Sequence, residues 1–141
     1  MYKRQADTYP QNAVRGPIVM VTNQWAGSDG DIVAAATQAM GYAKVIGERS
    51  WGGVVGIDGR FDLVDGTSVT QPRYAGWYGS YGWGVENHGV DPDIVVTVSP
   101  EDWEADRDVQ LDAAIAECLR QLDDKPAATA PELPGPAFDR C

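Results

Sequence analysis

The stretch Asn23-Gln24-Trp25-Ala26-Gly27-Ser28-Asp29-Gly30-Asp31 decides how this chain is read. An apolar run at residues 18–21 leads into it, and a helical pattern at residues 32–40 leads out. Ser28 therefore stands at a strand-to-helix junction, beside glycines that let backbone come close. Such a junction can hold a hydroxyl nucleophile together with the amides that stabilise an oxyanion. The same residues also read as a helix start. Ser28 and Asp31 form a capping-box-like pair, with Asp shorter than the usual Glu or Gln. The Gly-x-Ser-x-Gly nucleophile elbow is not met, because position 26 is Ala and Gly27 directly precedes the serine. Local sequence favours a cap and permits catalysis without proving it.

Outward from this junction the elements alternate. Residues 18–22 read as a strand whose consecutive apolar residues suit cover on both faces, as in a parallel sheet. The helix that follows places Ile32, Ala36 and Met40 on one face, with Val33 beside them, and Gly41 is its stop. A second strand at residues 44–47 completes a β-α-β unit. Ser28 then lies at the carboxyl end of its first strand, the edge where ligands of open α/β sheets sit.

The middle of the chain is glycine-rich. Residues 60–64 and 67–71 are strand candidates around Asp65-Gly66, a hairpin turn signal. Residues 74–83 are dense in aromatics and glycine, and read as a packed aromatic loop or as a wall of a peptide groove. A further strand is expected at residues 93–98. Ser99-Pro100-Glu101-Asp102 opens a helix, with Ser as cap and Pro at the first position. The acids Glu101, Asp102, Glu104, Asp106 and Asp108 fit a solvated helix start rather than a metal site. In the last helix Leu111, Ala114, Ile115, Cys118, Leu119 and Leu122 form one apolar stripe. It is expected to pack on the domain's own sheet with Ile115 buried. Residues 1–15 read as an irregular lead-in and 124–141 as a disordered tail rich in Pro, Gly and Ala.

Length and charge narrow the function. At 141 residues the chain forms one compact domain. A net charge of −10 disfavours nucleic acid and anionic membranes, which need basic surface, and is compatible with cationic peptides. No apolar run approaches the roughly 20 residues that span a bilayer. The polar start, without the apolar core of a signal peptide, points to the cytoplasm. The two cysteines, Cys118 and Cys141, have no metal-ligand spacing and are not expected to pair. No metal and no cofactor is expected. There is one histidine, His88, so a serine–histidine enzyme made from this chain alone would have to use it.

Four segments together carry a family resemblance. They are Gly27-Ser28-Asp29-Gly30-Asp31; Ile46-Gly47-Glu48-Arg49-Ser50-Trp51-Gly52-Gly53-Val54-Val55-Gly56; Asp65-Gly66-Thr67 with Thr70-Gln71-Pro72; and Gly84-Val85-Glu86-Asn87-His88-Gly89-Val90-Asp91-Pro92-Asp93. In this order they resemble the C-terminal catalytic subdomain of the tricorn proteases, relatives of the tail-specific (C-terminal processing) serine peptidases. The resemblance covers residues 13–122. It implies an α/β fold of the crotonase-like kind (Clp protease/crotonase superfamily), built of β-β-α units and incomplete on its N-terminal side, with residues 16–123 as the subdomain.

The chemistry implied is hydrolysis of oligopeptides by acyl transfer to serine. Ser28 takes the place of the nucleophile, and the Asp29 amide helps hold the oxyanion. Glu86 takes the place of the last member of a Ser–His–Ser–Glu tetrad. In the family the histidine and second serine lie on an upstream segment before a PDZ-like domain, and His88 stands where the family carries an aromatic residue. The chain is therefore expected to need an upstream half as its partner, and to be inactive alone. The complete enzyme implied is a cytoplasmic homo-oligomer, a hexamer. The rival expectations are a non-catalytic peptide-binding or assembly module of the same fold, and a crotonase-type thioester enzyme, for which no acyl-cofactor signature is present.

Overall fold

The computed structural model describes residues 9–10 and 12–129. Expectations that rest on residues 1–8 and 130–141, including Cys141 and most of the tail, lie outside them. Three strands, β1 (Val19–Thr22), β2 (Lys44–Gly47) and β5 (Ile94–Val95), form a parallel sheet in the order β1-β2-β5. Val19 pairs with Lys44 and Thr22 with Gly47, while Ile46 pairs with Ile94. Helix α1 (Asp29–Met40) is the crossover from β1 to β2, which confirms the expected β-α-β unit. Its C-terminus is closed by Gly41 in the left-handed region (φ 65°), whose N–H donates to the Thr37 and Gln38 carbonyls.

The sheet is thinner than the sequence implied. The apolar run before Ser28 suggested a strand covered on both faces, yet β1 is an edge strand and Val21 stays 42% exposed. The expected strand at 93–98 pairs only at Ile94–Val95, with Val96 N–H adding one bond to the Gly47 carbonyl. The hairpin turn at Asp65-Gly66 is present, with Leu63 N–H donating to the Thr67 carbonyl. The strands that it joins lie further out than expected: β3 (Gly56–Asp58) and β4 (Gln71–Tyr74), antiparallel. Between them only an isolated bridge, Asp62 to Ser68, forms where continuous strands were expected.

The core holds Ala34 and Ala35 of α1 against Val54, Val85 and Val90, with Met20, Ile32, Tyr78 and Tyr81 packed around them. Val45 and Ile46 of β2 are fully buried. Small alanines let α1 lie close to its neighbours in this core.

Helix α2 (Pro100–Glu104) has the capping box read from the sequence. The Ser99 side chain accepts from Asp102 N–H, and the Asp102 carboxylate accepts from Ser99 N–H. Hydrogen bonds from Ser99, and then from Arg107, hold the Asp102 carboxyl below the usual carboxylate range. Of the acids in this segment, Asp102 completes that box and Asp108 accepts from Leu111 N–H at the start of the next helix.

Helix α3 (Val109–Asp124) corrects the expectation about its apolar stripe. It packs on β1 and β2 through the face that carries buried Gln110 and Ala114, not through the leucines. Gln110 Nε2 donates to the Val96 carbonyl, which anchors the helix by a polar side chain. Leu111, Ile115 and Leu119 are 49%, 50% and 58% exposed. Periodicity groups residues on one face but does not say which face meets the sheet. Ile115→Ala is therefore expected to cost about 1 kcal/mol or less, whereas Ile46→Ala should cost about 2–5 kcal/mol. Urea unfolding of both variants checks the ranking, and equal losses would restore the buried-stripe reading.

Candidate active site

The loop between β1 and α1 is held in shape by its own backbone. Asn23 makes a turn, its Oδ1 accepting from Trp25 N–H at 3.0 Å and its carbonyl from Ala26 N–H at 2.9 Å. The Ala26 carbonyl accepts from Trp51 N–H at 3.0 Å, which ties this loop to the segment after β2. A Cβ at Gly27 would lie 2.4 Å from Trp51 Cε3, so a larger residue there would have to displace the Trp51 ring.

Ser28 follows with φ 55° and ψ −112°, a conformation that a residue with a Cβ rarely adopts. Its side chain makes no cap hydrogen bond and is exposed. The capping reading of Ser28 and Asp31 therefore fails. The physical reason is that the Asp31 carboxylate is fully buried and committed elsewhere, to Ser50 and the amides of Gly52 and Gly53. Asp29 is the first residue of α1, where the helix itself offers no acceptor to an N–H. Gly30 N–H donates to the Gly27 carbonyl and Ile32 N–H to the Ser28 carbonyl. Ser28 thus directly precedes the amino end of α1, where free amides and the helix dipole favour negative charge.

Glu86 lies on the other motif segment and is half-buried. Its Oε2 accepts from Val54 N–H at 2.7 Å and from Val55 N–H at 2.6 Å. Paired amides satisfy a carboxylate that burial would otherwise penalise. Ser28 and Glu86 share no hydrogen bond; the Glu86 carboxylate goes to backbone amides instead. The chain around Glu86 wraps the segment after β2. Asn87 N–H donates to the Gly52 carbonyl at 2.8 Å, and Ser50 N–H donates to the Val90 carbonyl at 3.1 Å. His88 is exposed and its Nε2 sits 2.8 Å from Asp91 Oδ2, so it forms a surface pair and does not engage Ser28.

A cavity of about 340 Å³ opens beside Glu86, lined by Val54, Val55, Ala75, Gly76, Trp83 and Asn87 as well. The packed-loop reading of the aromatic segment holds for its tyrosines. Tyr78 and Tyr81 pack against the core, while Trp77 and Trp83 are 62% and 63% exposed. Burial raises the Tyr81 phenol above its ordinary pKa, and its hydroxyl donates to Gln38 Oε1 at 2.8 Å. The sequence reading missed Ser50 and the true role of Asp31. The available signal was the pair Gly52-Gly53, two adjacent amides without side chains to shield them from a buried acid.

Comparison with known proteins gives the family. The family described as peptidase family S41 matches residues 1–96. The chain belongs to that peptidase family. Within it, the chain is 60% identical over 127 residues to tricorn protease homolog 1 of Streptomyces coelicolor, covering 90% of this chain and 12% of that protein. It is 48% identical over 114 residues to the tricorn protease of Thermoplasma acidophilum, covering 81% of this chain and 11% of that one. A crystal structure of the tricorn protease superimposes with a TM-score of 0.80 at 46% identity, over 86% of this chain and 12% of the other. The chain thus spans about 12% of the length of the first of these relatives. Among the described residues no helix is long and apolar enough to cross a membrane.

Proposed function

We propose that this chain is the nucleophile-bearing part of a serine endopeptidase that hydrolyses oligopeptides by acyl transfer to Ser28. The observation that carries the reading is the conformation of Ser28: positive φ, exposed hydroxyl, no capping bond, at the amino end of α1. A hydroxyl gains nothing structural from that strain, and strain of this kind is retained where function needs it. In this reading the Ser28 hydroxyl attacks the scissile carbonyl, and the Asp29 amide holds the resulting oxyanion. Glu86 anchors the far end of a Ser–His–Ser–Glu relay.

The base that takes the Ser28 proton comes from an upstream half of the catalytic domain, together with the second serine. Residues 16–123 form the subdomain, of crotonase-like organisation. The complete enzyme works as a cytoplasmic homo-oligomer, a hexamer, and the isolated chain is inactive. Membership of peptidase family S41 and the likeness to tricorn proteases support this reading.

The test is labelling by a fluorophosphonate probe. The chain alone should label no faster than its Ser28→Ala variant, and adding the upstream half should raise the rate in a Ser28-dependent way. Labelling that is unchanged in Ser28→Ala removes Ser28 as nucleophile. Peptide binding with no labelling in any combination favours the non-catalytic binding or assembly module.

A further inference from the structure

We infer that Asp31 is a positioning residue for this chemistry: its buried carboxylate sets the segment that holds Glu86 against the helix that carries Ser28. The inference rests on the peptidase reading above. Its basis is the way residues 50–55, the segment after β2, use their amides. Ser50 N–H donates to Val90 and Trp51 N–H to Ala26, both backbone carbonyls. Gly52 N–H and Gly53 N–H donate to the Asp31 carboxylate, at 2.8 and 3.1 Å. Val54 N–H and Val55 N–H donate to the Glu86 carboxylate. Four successive amides are thus shared between two acids. One acid is a turn along from the candidate nucleophile, and the other is the candidate relay acid.

The third partner of Asp31 completes the clamp. The Ser50 hydroxyl donates to Asp31 Oδ1 at 2.5 Å and accepts from Val90 N–H at 2.8 Å. A hydroxyl has one proton to give and lone pairs to receive, so Ser50 bridges α1 to the segment just after Glu86. Asp31 is fully buried and Ser50 is 3% exposed, so water cannot replace either bond. Both Asp31 oxygens accept and neither needs to donate. An amide in its place would turn an NH₂ group toward N–H or O–H donors on one side. The segment would then have to shift away from α1, and Glu86, bound to the next two amides, would shift with it. Misplacement of about 1 Å in a catalytic constellation costs on the order of 10²-fold in rate.

A buried aspartate that merely holds the fold would cost stability and leave turnover per folded molecule intact. The experiment separates these in the complete polypeptide carrying this chain, with fluorogenic peptides and well below each variant's Tm. Asp31→Asn is expected to lower kcat by about 10²-fold with KM within about threefold of the parent. Ser50→Ala, which keeps the two glycine amides on Asp31, should lower kcat less, by about tenfold, and serves if Asp31→Asn does not fold. Ala114→Gly on α3, remote from the clamp, supplies a destabilised control that should keep its kcat. Parental kcat in Asp31→Asn, or in Ser50→Ala if only that folds, overturns the positioning role. An equal loss of kcat in Ala114→Gly does the same. Ser28→Ala is run alongside: if it keeps full turnover, the peptidase reading itself falls, and if it abolishes turnover while the clamp variants do not, only the positioning role falls.

Discussion

Ser28→Ala in the complete enzyme is expected to lower kcat by about 10⁴–10⁶-fold, the range over which loss of a serine nucleophile acts in enzymes that use a serine–histidine pair. The substitution removes only the hydroxyl. The backbone strain at φ 55° is common to Ser and Ala, and the Ser28 side chain makes no capping bond to lose. Stability should therefore stay within about 0.5 kcal/mol of the parent, as for surface changes away from special features. That pairing of a large kinetic loss with little thermal change distinguishes a nucleophile from a residue that shapes the loop. The isolated chain should show no turnover to lose. Its one histidine, His88, is paired with Asp91 on the surface and makes no hydrogen bond to Ser28. Hydrolysis by the isolated chain that vanished in both Ser28→Ala and His88→Ala would overturn that account and make His88 the base. A tenfold or smaller loss of kcat on Ser28→Ala in the complete enzyme would remove the nucleophile assignment.

Gly89→Ala is expected to be strongly destabilising. Gly89 has φ 88°, and a Cβ there would lie 2.1 Å from the Ser50 carbonyl oxygen. Two costs combine. A residue with a Cβ in a left-handed conformation costs about 1–2 kcal/mol, and forcing atoms into a packed site adds about 1–3 kcal/mol. The contact is backbone against backbone, so no side chain can swing away to relieve it. Destabilisation by about 2–5 kcal/mol follows, measured by urea unfolding. Because Ser50 also bridges Asp31 and Val90, the shift should loosen the segment that presents amides to Glu86. Hydrogen exchange at Val54 and Val55 should then quicken more than at Val45 in β2. A loss below about 0.5 kcal/mol would show that the Glu86 segment is not pressed against residues 50–55.

The β-α-β unit, the Gly41 stop, the capping box at Ser99 and the hairpin turn at Asp65-Gly66 were all legible in the sequence. Each is a local matter: an apolar run, a residue that tolerates positive φ, a side chain that reaches its own backbone three residues on. The Ser28 segment was legible as a junction for the same reason, and its neighbours in order carried the family resemblance. What Ser28 and Asp31 do there was a tertiary decision. Locally they could cap a helix. Only when residues 50–55 fold over α1 does a pair of glycine amides take the Asp31 carboxylate, worth more to a buried acid than an exposed cap. The leucine stripe of α3 failed for a related reason. Its period is set by the sequence, but the face that meets β1 and β2 is chosen by what the sheet presents, and the sheet took Gln110 and Ala114. Sequence by itself determined the β-α-β unit, the local caps and turns, and the chemical types available at the site. Tertiary structure decided which polar groups meet, because a buried charge selects its partners from the whole chain rather than from its neighbours.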